Sequence, residues 1–196
     1  ARNLIFAKRN LTSGEIAAYA GHRKAWRAFL DDGADFALIL EDDFRIADKP
    51  RFRSVVAECL SVSDTWDVVK FFDFNPKRVV RRRRLATTDL AAYKYPASGT
   101  VAYLLTAAAA RKLLKRSRIY RPVDEDLSQP WEFGLRVWST LPNLIEEVSQ
   151  ELGGSNLEAM RLANKVHKNL CRSIWANVLQ AWKLVRAGGY YIQLGK

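Results

Sequence analysis

Three consecutive carboxylic acids, Glu41, Asp42 and Asp43, are the side chains of this sequence best placed for chemistry. They follow a continuously apolar run at residues 36–40, which predicts a strand buried on both faces. Ligands of open α/β sheets bind where such strands end. Mg²⁺ and Mn²⁺ prefer oxygen ligands, and one or two carboxylates plus substrate phosphates can hold them. The alternative is an ordinary acidic loop after a buried strand.

A glycine before a second apolar run marks another candidate site. Gly99 lies between Ser98 and Thr100, and the run that follows contains Tyr103. A glycine where a strand begins lets a ligand approach the backbone closely. A plain turn into a strand is the alternative.

Two acids that follow Pro122, Asp124 and Asp126, are candidates for acid–base chemistry. A carboxylate held beside a bound hydroxyl group can remove its proton. The alternative is an acidic first turn of a helix, which the helix dipole stabilises. His22 is the remaining candidate, although a histidine among large apolar neighbours is usually a buried, hydrogen-bonded core residue.

Basic residues outnumber acidic ones, and this restricts the class of partner. The chain has 32 Lys and Arg against 21 Asp and Glu, a net charge of +11, which attracts nucleic acid, anionic lipid head groups or phosphorylated sugars. Four arginines at residues 81–84 could bind phosphate, but no helix-turn-helix, zinc or RNA-binding signature accompanies them. A solvated basic edge or loop is therefore favoured there, and we expect no nucleic acid partner.

The C-terminal segment has a pattern of its own. Apolar residues recur at helical spacing over residues 157–186, between lysines and arginines. This pattern is typical of a helix at a membrane interface, and we expect it to meet an anionic membrane surface. Packing of the apolar stripe on the rest of the chain or on a second copy is the alternative. The preceding Gly153-Gly154-Ser155 predicts a linker, which separates a domain over residues 1–152 from a helical extension over residues 155–196.

Helix and strand patterns alternate along the chain, which predicts an α/β fold with a mostly parallel sheet flanked by helices. Helices are predicted at residues 12–30, 51–60 and 107–115 and through Trp131 and Trp138, and strands at residues 36–40, 67–72, 100–105 and 144–145. The predicted apolar side of the first helix consists of Ile16, Tyr19, Trp26 and Phe29. This order places the acidic run at the end of the first strand.

Length and composition exclude several classes. The 196 residues suit one domain with an appendage, and 48% hydrophobic residues exclude a disordered chain. No apolar run approaches the roughly 18 residues that cross a bilayer. Cys59 and Cys171 lack metal-ligand spacing, which favours a reducing compartment, and His22 and His167 are too distant in sequence to suggest a zinc site. The opening residues read like the interior of a protein, so we expect an N-terminal piece to be absent.

Three segments in order carry a family resemblance. They are residues 11–16 with His22 and Trp26, then residues 37–43, and then Gly99, Thr100 and Tyr103 with residues 110, 113–114 and 122–124. Together they resemble the motifs of glycosyltransferase family 25, the lipopolysaccharide and lipooligosaccharide glycosyltransferases. Their order and spacing match the family over residues 11–148.

The resemblance implies a GT-A-like, Rossmann-like fold and an inverting transfer of a sugar from a nucleotide-sugar donor. The donor would be a UDP-sugar, and the acceptor a lipopolysaccharide or another cell-surface or lipid-linked glycan. The resemblance also implies that Asp42 and Asp43 hold a divalent Mn²⁺ or Mg²⁺ ion, and that Asp124, with Asp126 in reserve, acts as the base. The resemblance further implies that the remaining motif residues bind substrate, namely His22, Glu41, Gly99, Thr100 and Tyr103. Such an acceptor implies a cytoplasmic protein, attached peripherally to the inner face of the cytoplasmic membrane.

The family's chains begin upstream with a strand and arginines that help to form the nucleotide site, a segment that we expect to be absent here. The sequence also departs from the family at two places within the motifs. The family's Ser before its His is Gly21 here, and its Gly-Cys pair is Ala17-Ala18. A catalytically inactive relative that acts in binding or assembly is therefore a second hypothesis. A basic nucleic-acid-binding module is a third, and it is less favoured because carboxylates at the end of a buried strand repel phosphate.

Overall fold

The computed structural model describes residues 10–74, 78–94, 96–149, 151 and 170–193. In chain order its helices are α1 (Ser13–Asp32), α2 (Lys49–Ser61), α3 (Ala107–Leu114), α4 (Val123–Leu127) and α5 (Leu170–Gln193). Its strands are β1 (Phe36–Leu40), β2 (Phe44–Arg45), β3 (Val68–Lys70), β4 (Val79–Arg84), β5 (Asp89–Tyr93), β6 (Ala102–Thr106), β7 (Val137–Leu141) and β8 (Glu146–Glu147). Short 3-10 turns at Ser63–Thr65 and Pro130–Glu132 precede β3 and β7.

Local signals set both ends of α1. The Thr12 hydroxyl accepts a hydrogen bond from the Glu15 backbone N–H (3.2 Å), and the Glu15 carboxylate accepts one from the Thr12 N–H (3.0 Å). This reciprocal cap satisfies two N–H groups that the first turn leaves unpaired. Gly33 ends the helix at a φ of +75°, a left-handed conformation that suits glycine. The helix predicted at residues 12–30 is confirmed.

A six-stranded sheet forms the centre of the fold, in the order β1-β6-β3-β7-β5-β4. β3 and β7 pair in parallel, whereas β6 is antiparallel to both β1 and β3, and β5 is antiparallel to both β7 and β4. β2 and β8 form a separate antiparallel pair. The fold is therefore a mixed α/β fold with a central sheet flanked by helices.

The prediction of a mostly parallel sheet is wrong for the strands that the structure describes. It assumed that alternating strand and helix patterns mean parallel neighbours joined by crossover helices. β4 and β5 are instead joined by the short turn at residues 85–88, which permits only an antiparallel hairpin. β6 also inserts between β1 and β3 rather than beside a parallel partner.

Helices cover both faces of the sheet. Along β6, Tyr103 and Leu105 pack into the core that contains α1, α3 and α4, whereas Ala102 and Leu104 pack into the core that contains α2. This alternation follows from the two-residue period of a strand. Residues next to each other in β6 therefore belong to opposite cores.

Two predicted burial patterns are wrong. Ile16 is 46% exposed, because it lies roughly 80° around α1 from the buried Trp26; the other predicted apolar residues of this helix are buried. β1 keeps its predicted bounds, but it is the outermost strand of the described sheet. Leu38 and Leu40 consequently remain partly exposed, so the strand is not buried on both faces.

Most other predicted elements are found as α2, α3, β3 and β6. The helical stretch predicted through Trp131 and Trp138 is wrong for Trp138, which lies on β7. β5 was not predicted from the sequence, because its Ala91 and Ala92 are weak strand formers. The strand predicted at residues 144–145 lies two residues later in the structure, as β8.

The C-terminal helix α5 contacts the domain near its end. The Tyr190 hydroxyl accepts a hydrogen bond from the Val137 N–H (3.0 Å), and its ring meets the Trp131 ring edge-on. Ala187 is buried one turn earlier. The predicted linker at residues 153–155 lies outside the described residues, so the domain boundary stays a prediction. Within the described ranges, no helix is long and apolar enough to span a bilayer.

Candidate active site

Strand pairing brings the acidic run beside the glycine loop. In the antiparallel pair of β1 and β6, Leu40 lies opposite Ala102, so the residue after β1 faces the residues before β6. The Glu41 N–H donates to the Val101 carbonyl (2.9 Å), and the Thr100 hydroxyl donates to the Glu41 carboxylate. Two segments 59 residues apart thus meet at one carboxylate.

A chain of hydrogen bonds continues from Glu41 into the core. The Trp26 indole N–H donates to the Tyr103 hydroxyl oxygen (2.8 Å), which lies 2.8 Å from Nδ1 of His22. Nε2 of His22 lies 3.2 Å from Oε1 of Glu41. Thr100 closes the chain at the same oxygen. We call the chain Trp26–Tyr103–His22–Glu41–Thr100 the buried relay.

The donors of the buried relay assign its protons. An indole nitrogen can only donate, so the Tyr103 oxygen accepts from Trp26. An ionised carboxylate can only accept, so Nε2–H of His22 donates to Glu41, and in this tautomer Nδ1 accepts from the Tyr103 hydroxyl. His22 is therefore a buried, hydrogen-bonded histidine, and it is held beside the acidic run.

The hydrogen bonds also set the charge of Glu41. Burial alone would raise the pKa of Glu41, but the hydrogen bonds from His22 and Thr100 outweigh burial and hold the pKa below its ordinary value. Burial raises the pKa of the Tyr103 hydroxyl, which keeps it protonated. Glu41 is thus a fixed negative charge at neutral pH.

The other two acids of the run are less well supported by the protein. Asp42 is exposed, whereas Asp43 is partly buried and its Oδ1 finds no hydrogen-bond partner among the described residues. Burial raises the pKa of Asp43, and the nearby carboxylates of Glu41, Glu147 and Asp42 raise it further. Across the described ranges, no cluster of three or more His, Cys, Asp or Glu side chains is arranged to hold a metal ion. The protein therefore offers one or two carboxylates here rather than a complete metal cage.

Gly99 has a positive φ, a backbone conformation that favours glycine over other residues. Its φ is +114°, and an added Cβ would lie 2.9 Å from a ring carbon of Phe74. Phe74 in turn meets Phe72 edge-on, with ring centroids 4.8 Å apart. The close approach that this glycine permits is thus made by a side chain of the protein itself.

A buried ion pair below the glycine loop was not predicted. Lys70 and Asp73 are almost fully buried and form an ion pair, and the Lys70 ammonium also donates to the Ala97 carbonyl (2.7 Å). The Asp73 N–H donates to the side-chain oxygen of Asn143 (3.2 Å). The sequence feature that could have predicted this ion pair is the lysine inside the apolar run at residues 67–72. This pair fixes the loop that carries Gly99.

Asp126 lies in a second polar cluster, which attaches to α1 at Tyr19, one turn before His22. Its carboxylate accepts from the Tyr19 hydroxyl (2.5 Å) and pairs with Nε of Arg116 (2.7 Å) and Nε of Arg121 (2.5 Å). Glu132 pairs with the same two arginines. We call these five residues the arginine cluster. Its members are at most partly accessible, and Asp126 itself is fully buried.

The two candidate bases therefore differ in environment. Asp124 lies in the first turn of α4 and is partly exposed. A base must reach the hydroxyl group of a bound acceptor, and a carboxylate closed in by two guanidinium groups is poorly placed to do so. The catalytic assignment of both residues stays a prediction, and burial favours Asp124.

The arginines at residues 81–84 lie on β4, the outermost strand at the other end of the sheet. Arg82 and Arg84 pair with Asp89 on β5, at 3.3 and 3.1 Å. Charged side chains on an outer strand discourage pairing with a second sheet. This placement agrees with the solvated basic edge that the sequence favours.

Comparison with known proteins identifies the family. The model of glycosyltransferase family 25, described as an LPS biosynthesis protein, matches residues 2–127. The chain belongs to glycosyltransferase family 25. The match includes both the buried relay and the acidic run of this family 25 chain.

Curated relatives are animal proteins. The "probable inactive glycosyltransferase 25 family member 3" of Rattus norvegicus is 31% identical over 128 residues, which cover 62% of this chain and 22% of the relative. The "procollagen galactosyltransferase 1" of Danio rerio is 30% identical over 129 residues, covering 61% and 20%. A "glycosyltransferase 25 family member" of Anopheles gambiae is 28% identical over 170 residues, covering 71% and 26%. The chain thus spans about a quarter or less of the length of these relatives.

Proposed function

We propose that this family 25 chain transfers a sugar from a nucleotide-sugar donor to a glycan acceptor, with inversion at the anomeric carbon, on a GT-A-like fold. One observation supports the proposal most. The buried relay fixes Glu41 at the end of β1 in ionised form, beside an Asp43 carboxylate whose Oδ1 has no partner among the described residues. A bound cation or an ordered water can satisfy such a carboxylate oxygen.

Asp42 and Asp43 are the residues that we propose to hold a divalent Mn²⁺ or Mg²⁺ ion together with the donor diphosphate. Asp43 fits this role because burial and the neighbouring carboxylates raise its pKa, so that a cation nearby favours its ionised form. Such an ion supplies neutralisation of the charge that develops on the leaving nucleoside diphosphate. Because the described residues offer only one or two carboxylates, donor phosphate oxygens complete the set.

Asp124 is the proposed base. The acceptor oxygen bonds to the anomeric carbon while the bond from that carbon to the donor phosphate oxygen breaks. The acceptor proton passes to Asp124, and the nucleoside diphosphate leaves. General-base help of this kind contributes roughly 10²–10⁴-fold to a rate. Asp126 supports α4 from inside the arginine cluster.

The remaining predicted residues are proposed to shape the substrate cleft. Glu41 presents a carboxylate that can accept hydrogen bonds from sugar hydroxyl groups, and Gly99 and Thr100 line the adjacent loop. His22 and Tyr103 act through Glu41, by holding it in place. These five residues together are proposed to form one preorganised wall of the substrate cleft.

The identity of donor and acceptor is the least constrained part of the proposal. A UDP-sugar donor and a lipopolysaccharide or other cell-surface or lipid-linked glycan acceptor follow from the family resemblance. A relative named a procollagen galactosyltransferase places UDP-galactose first among the donors to try. A cytoplasmic location also stays a prediction.

An inactive family member that acts by binding is the second candidate. Its support is that relatives at 31% and 33% identity, from Rattus norvegicus and Homo sapiens, are named inactive or probable inactive. A nucleic-acid-binding module has no such support, because two of the four arginines at residues 81–84 pair with Asp89.

Titration calorimetry tests the proposal. UDP and a panel of UDP-sugars would be titrated into the chain with and without Mn²⁺, and into Asp43→Ala. Asp31→Ala, which removes an exposed acid from the last turn of α1, is the matched control. We expect Mn²⁺-dependent binding that Asp43→Ala abolishes and Asp31→Ala retains. Binding that ignores Mn²⁺ or survives Asp43→Ala would contradict the donor site.

Turnover separates the two candidates. Release of UDP from a bound UDP-sugar, in the presence of glycan acceptors, should fall at least 100-fold in Asp124→Asn while donor binding persists. Donor binding without any turnover in the unaltered chain would favour the inactive relative.

A further inference from the structure

Side chains between residues 174 and 185 of α5 present an apolar face to solvent. Its large side chains are between 44% and 76% exposed and consist of Ile174, Trp175, Val178, Trp182 and Val185. At 100° per residue these five positions fall within about 100° of the helix circumference. They form one stripe, which we call the α5 stripe. Such an exposed apolar stripe on a helix is typical of a surface that binds a membrane or another protein.

The opposite side of α5 faces the domain. Ala187 and Tyr190 are buried there, against Trp131 and Val137. The α5 stripe is therefore not the side by which the helix packs on the domain. The helix contains no Asp or Glu, so no negative charge accompanies the stripe.

A basic pocket of about 450 Å³ lies beside α5. Lys112, Lys115 and Arg116 from the end of α3 and the residues after it line one side, and Arg186 from α5 lines the other. Arg186 also lies at the margin of the α5 stripe, with its guanidinium 5.2 Å from the Trp182 ring. The pocket and the stripe are therefore continuous.

Acids balance only part of the positive charge in the pocket. Glu132 is the one acid in its lining, and it pairs with Arg116 and Arg121. Lys112 pairs with Asp67 (3.2 Å). Lys115 and Arg186 form no ion pair with any described residue, so the pocket carries an excess of positive charge.

We propose that the α5 stripe and this basic pocket together form a binding surface for membranes that contain anionic phospholipid. The stripe lies in the interface between head groups and acyl chains, and the pocket receives a lipid phosphate. Apolar side chains with tryptophan, flanked by cations, are what interfacial binding requires. The proposal is independent of glycosyl transfer.

Charge complementarity selects this occupant over a second copy of the chain. A copy of this chain would bring its own cations to the pocket, because the net charge is +11. An anionic membrane brings phosphates, and each Lys or Arg near such a surface strengthens binding about five-fold. The α5 stripe alone could be covered by a membrane or by a second copy of the chain. The positive charge of the pocket is what favours the anionic membrane.

Flotation of the full 196-residue chain with vesicles tests the proposal. Vesicles of phosphatidylcholine alone would be compared with vesicles that also contain phosphatidylglycerol. Lys115→Ala and Arg186→Ala should each lower partition onto the anionic vesicles about five-fold. Arg53→Ala, which removes an exposed cation from α2 on the other face of the sheet, should not.

A second pair of variants tests the stripe. Val185 is 76% exposed, so Val185→Glu should leave the fold intact, which circular dichroism checks, and lower partition about ten-fold or more. Ile16→Glu makes the same kind of change on α1, where the side chain is 46% exposed, and should lower partition less.

Four results would overturn the proposal. Equal partition onto neutral and anionic vesicles, or equal losses in Lys115→Ala and Arg53→Ala, would remove the pocket from the binding surface. Calorimetric binding of pyrophosphate that Lys115→Ala abolishes, without vesicle binding, would assign the pocket to a soluble phosphate. A dimer in sedimentation that Val185→Glu dissociates, with partition unchanged, would assign the stripe to a second copy.

Discussion

Two polar networks attach to α1, one turn apart, and they differ in how their charges are balanced. In the arginine cluster, Tyr19 donates to Asp126, whose carboxylate lies between two guanidinium groups. In the buried relay, His22 and Thr100 donate to Glu41, and Asp43, two residues further along the chain, has no ion pair with the residues that the structure describes. The Asp126 carboxylate thus has two cationic partners, although burial still raises its pKa, whereas the Asp43 carboxylate has none among the described residues.

The difference separates a structural role from a functional one. Breaking a buried ion pair leaves an uncompensated charge and destabilises strongly, so the arginine cluster fastens α1 to the segment at residues 116–132. Carboxylates without cationic partners destabilise the fold instead, unless a ligand supplies the cation. Stability should therefore fall when the cluster is cut and rise slightly when Asp43 loses its charge.

The largest effect is expected from Asp126→Ala. The substitution leaves Arg116 and Arg121 without their shared carboxylate in a buried site, and we expect a loss of about 3–5 kcal/mol in the free energy of unfolding. Urea denaturation measures it. Glu125→Gln, a charge change at the neighbouring and partly exposed position, should stay within about 0.5 kcal/mol. Similar losses in the two variants would show that the cluster is not the main fastening of α1.

Tyr103→Phe cuts the buried relay at its centre. It leaves the Trp26 N–H without its acceptor and Nδ1 of His22 without its donor, so we expect a loss of about 2 kcal/mol. Tyr93→Phe is the control, since Tyr93 is buried but its hydroxyl forms no hydrogen bond to the described residues. Equal losses would mean that packing of the ring, and not the relay, sets the effect.

Thr100→Val removes one donor from Glu41 and should cost about 1 kcal/mol at neutral pH. The hydrogen bonds lower the folded-state pKa of Glu41 below its ordinary value of 4.5. The stability they contribute is therefore present above that value and is lost as pH falls through the folded pKa. The gap between the unaltered chain and Thr100→Val should therefore narrow only as pH falls below 4.5. A gap independent of pH would contradict the assigned bond.

Short-range signals in the sequence predicted the local elements well. The Thr12 cap and the Gly33 stop bound α1 because capping involves neighbouring residues only. Sheet direction was not predictable in this way, since the pairing of β6 with β1 and β3 depends on the whole topology. The residues that meet in the buried relay were identified as a set, through their motifs rather than through their contacts.

The arginine cluster shows what the sequence leaves undetermined. Tyr19 and Asp126 are 107 residues apart, and nothing local distinguishes Asp126 from Asp124. Both acids lie in the first turn of α4, and only the packing of α1 against α4 decides which one is buried between arginines. A helix period of 3.6 residues puts positions two apart on different sides, so the two acids necessarily meet different surroundings.

The smallest effect should also have the opposite sign. Burial and neighbouring carboxylates raise the pKa of Asp43 from its ordinary value of 3.8, so its ionised form destabilises the fold at neutral pH. Asp43→Asn should raise the free energy of unfolding by roughly 0.5 kcal/mol, a small gain because water screens a partly exposed carboxylate. The gain should vanish as pH falls towards 3.8, where the native carboxyl is neutral as well. Thermal unfolding with Mn²⁺ and UDP should then reverse the order, because the ligands stabilise only the chain that retains Asp43. Destabilisation by Asp43→Asn at neutral pH would place Asp43 with the compensated charges of the fold and remove the contrast between the two networks.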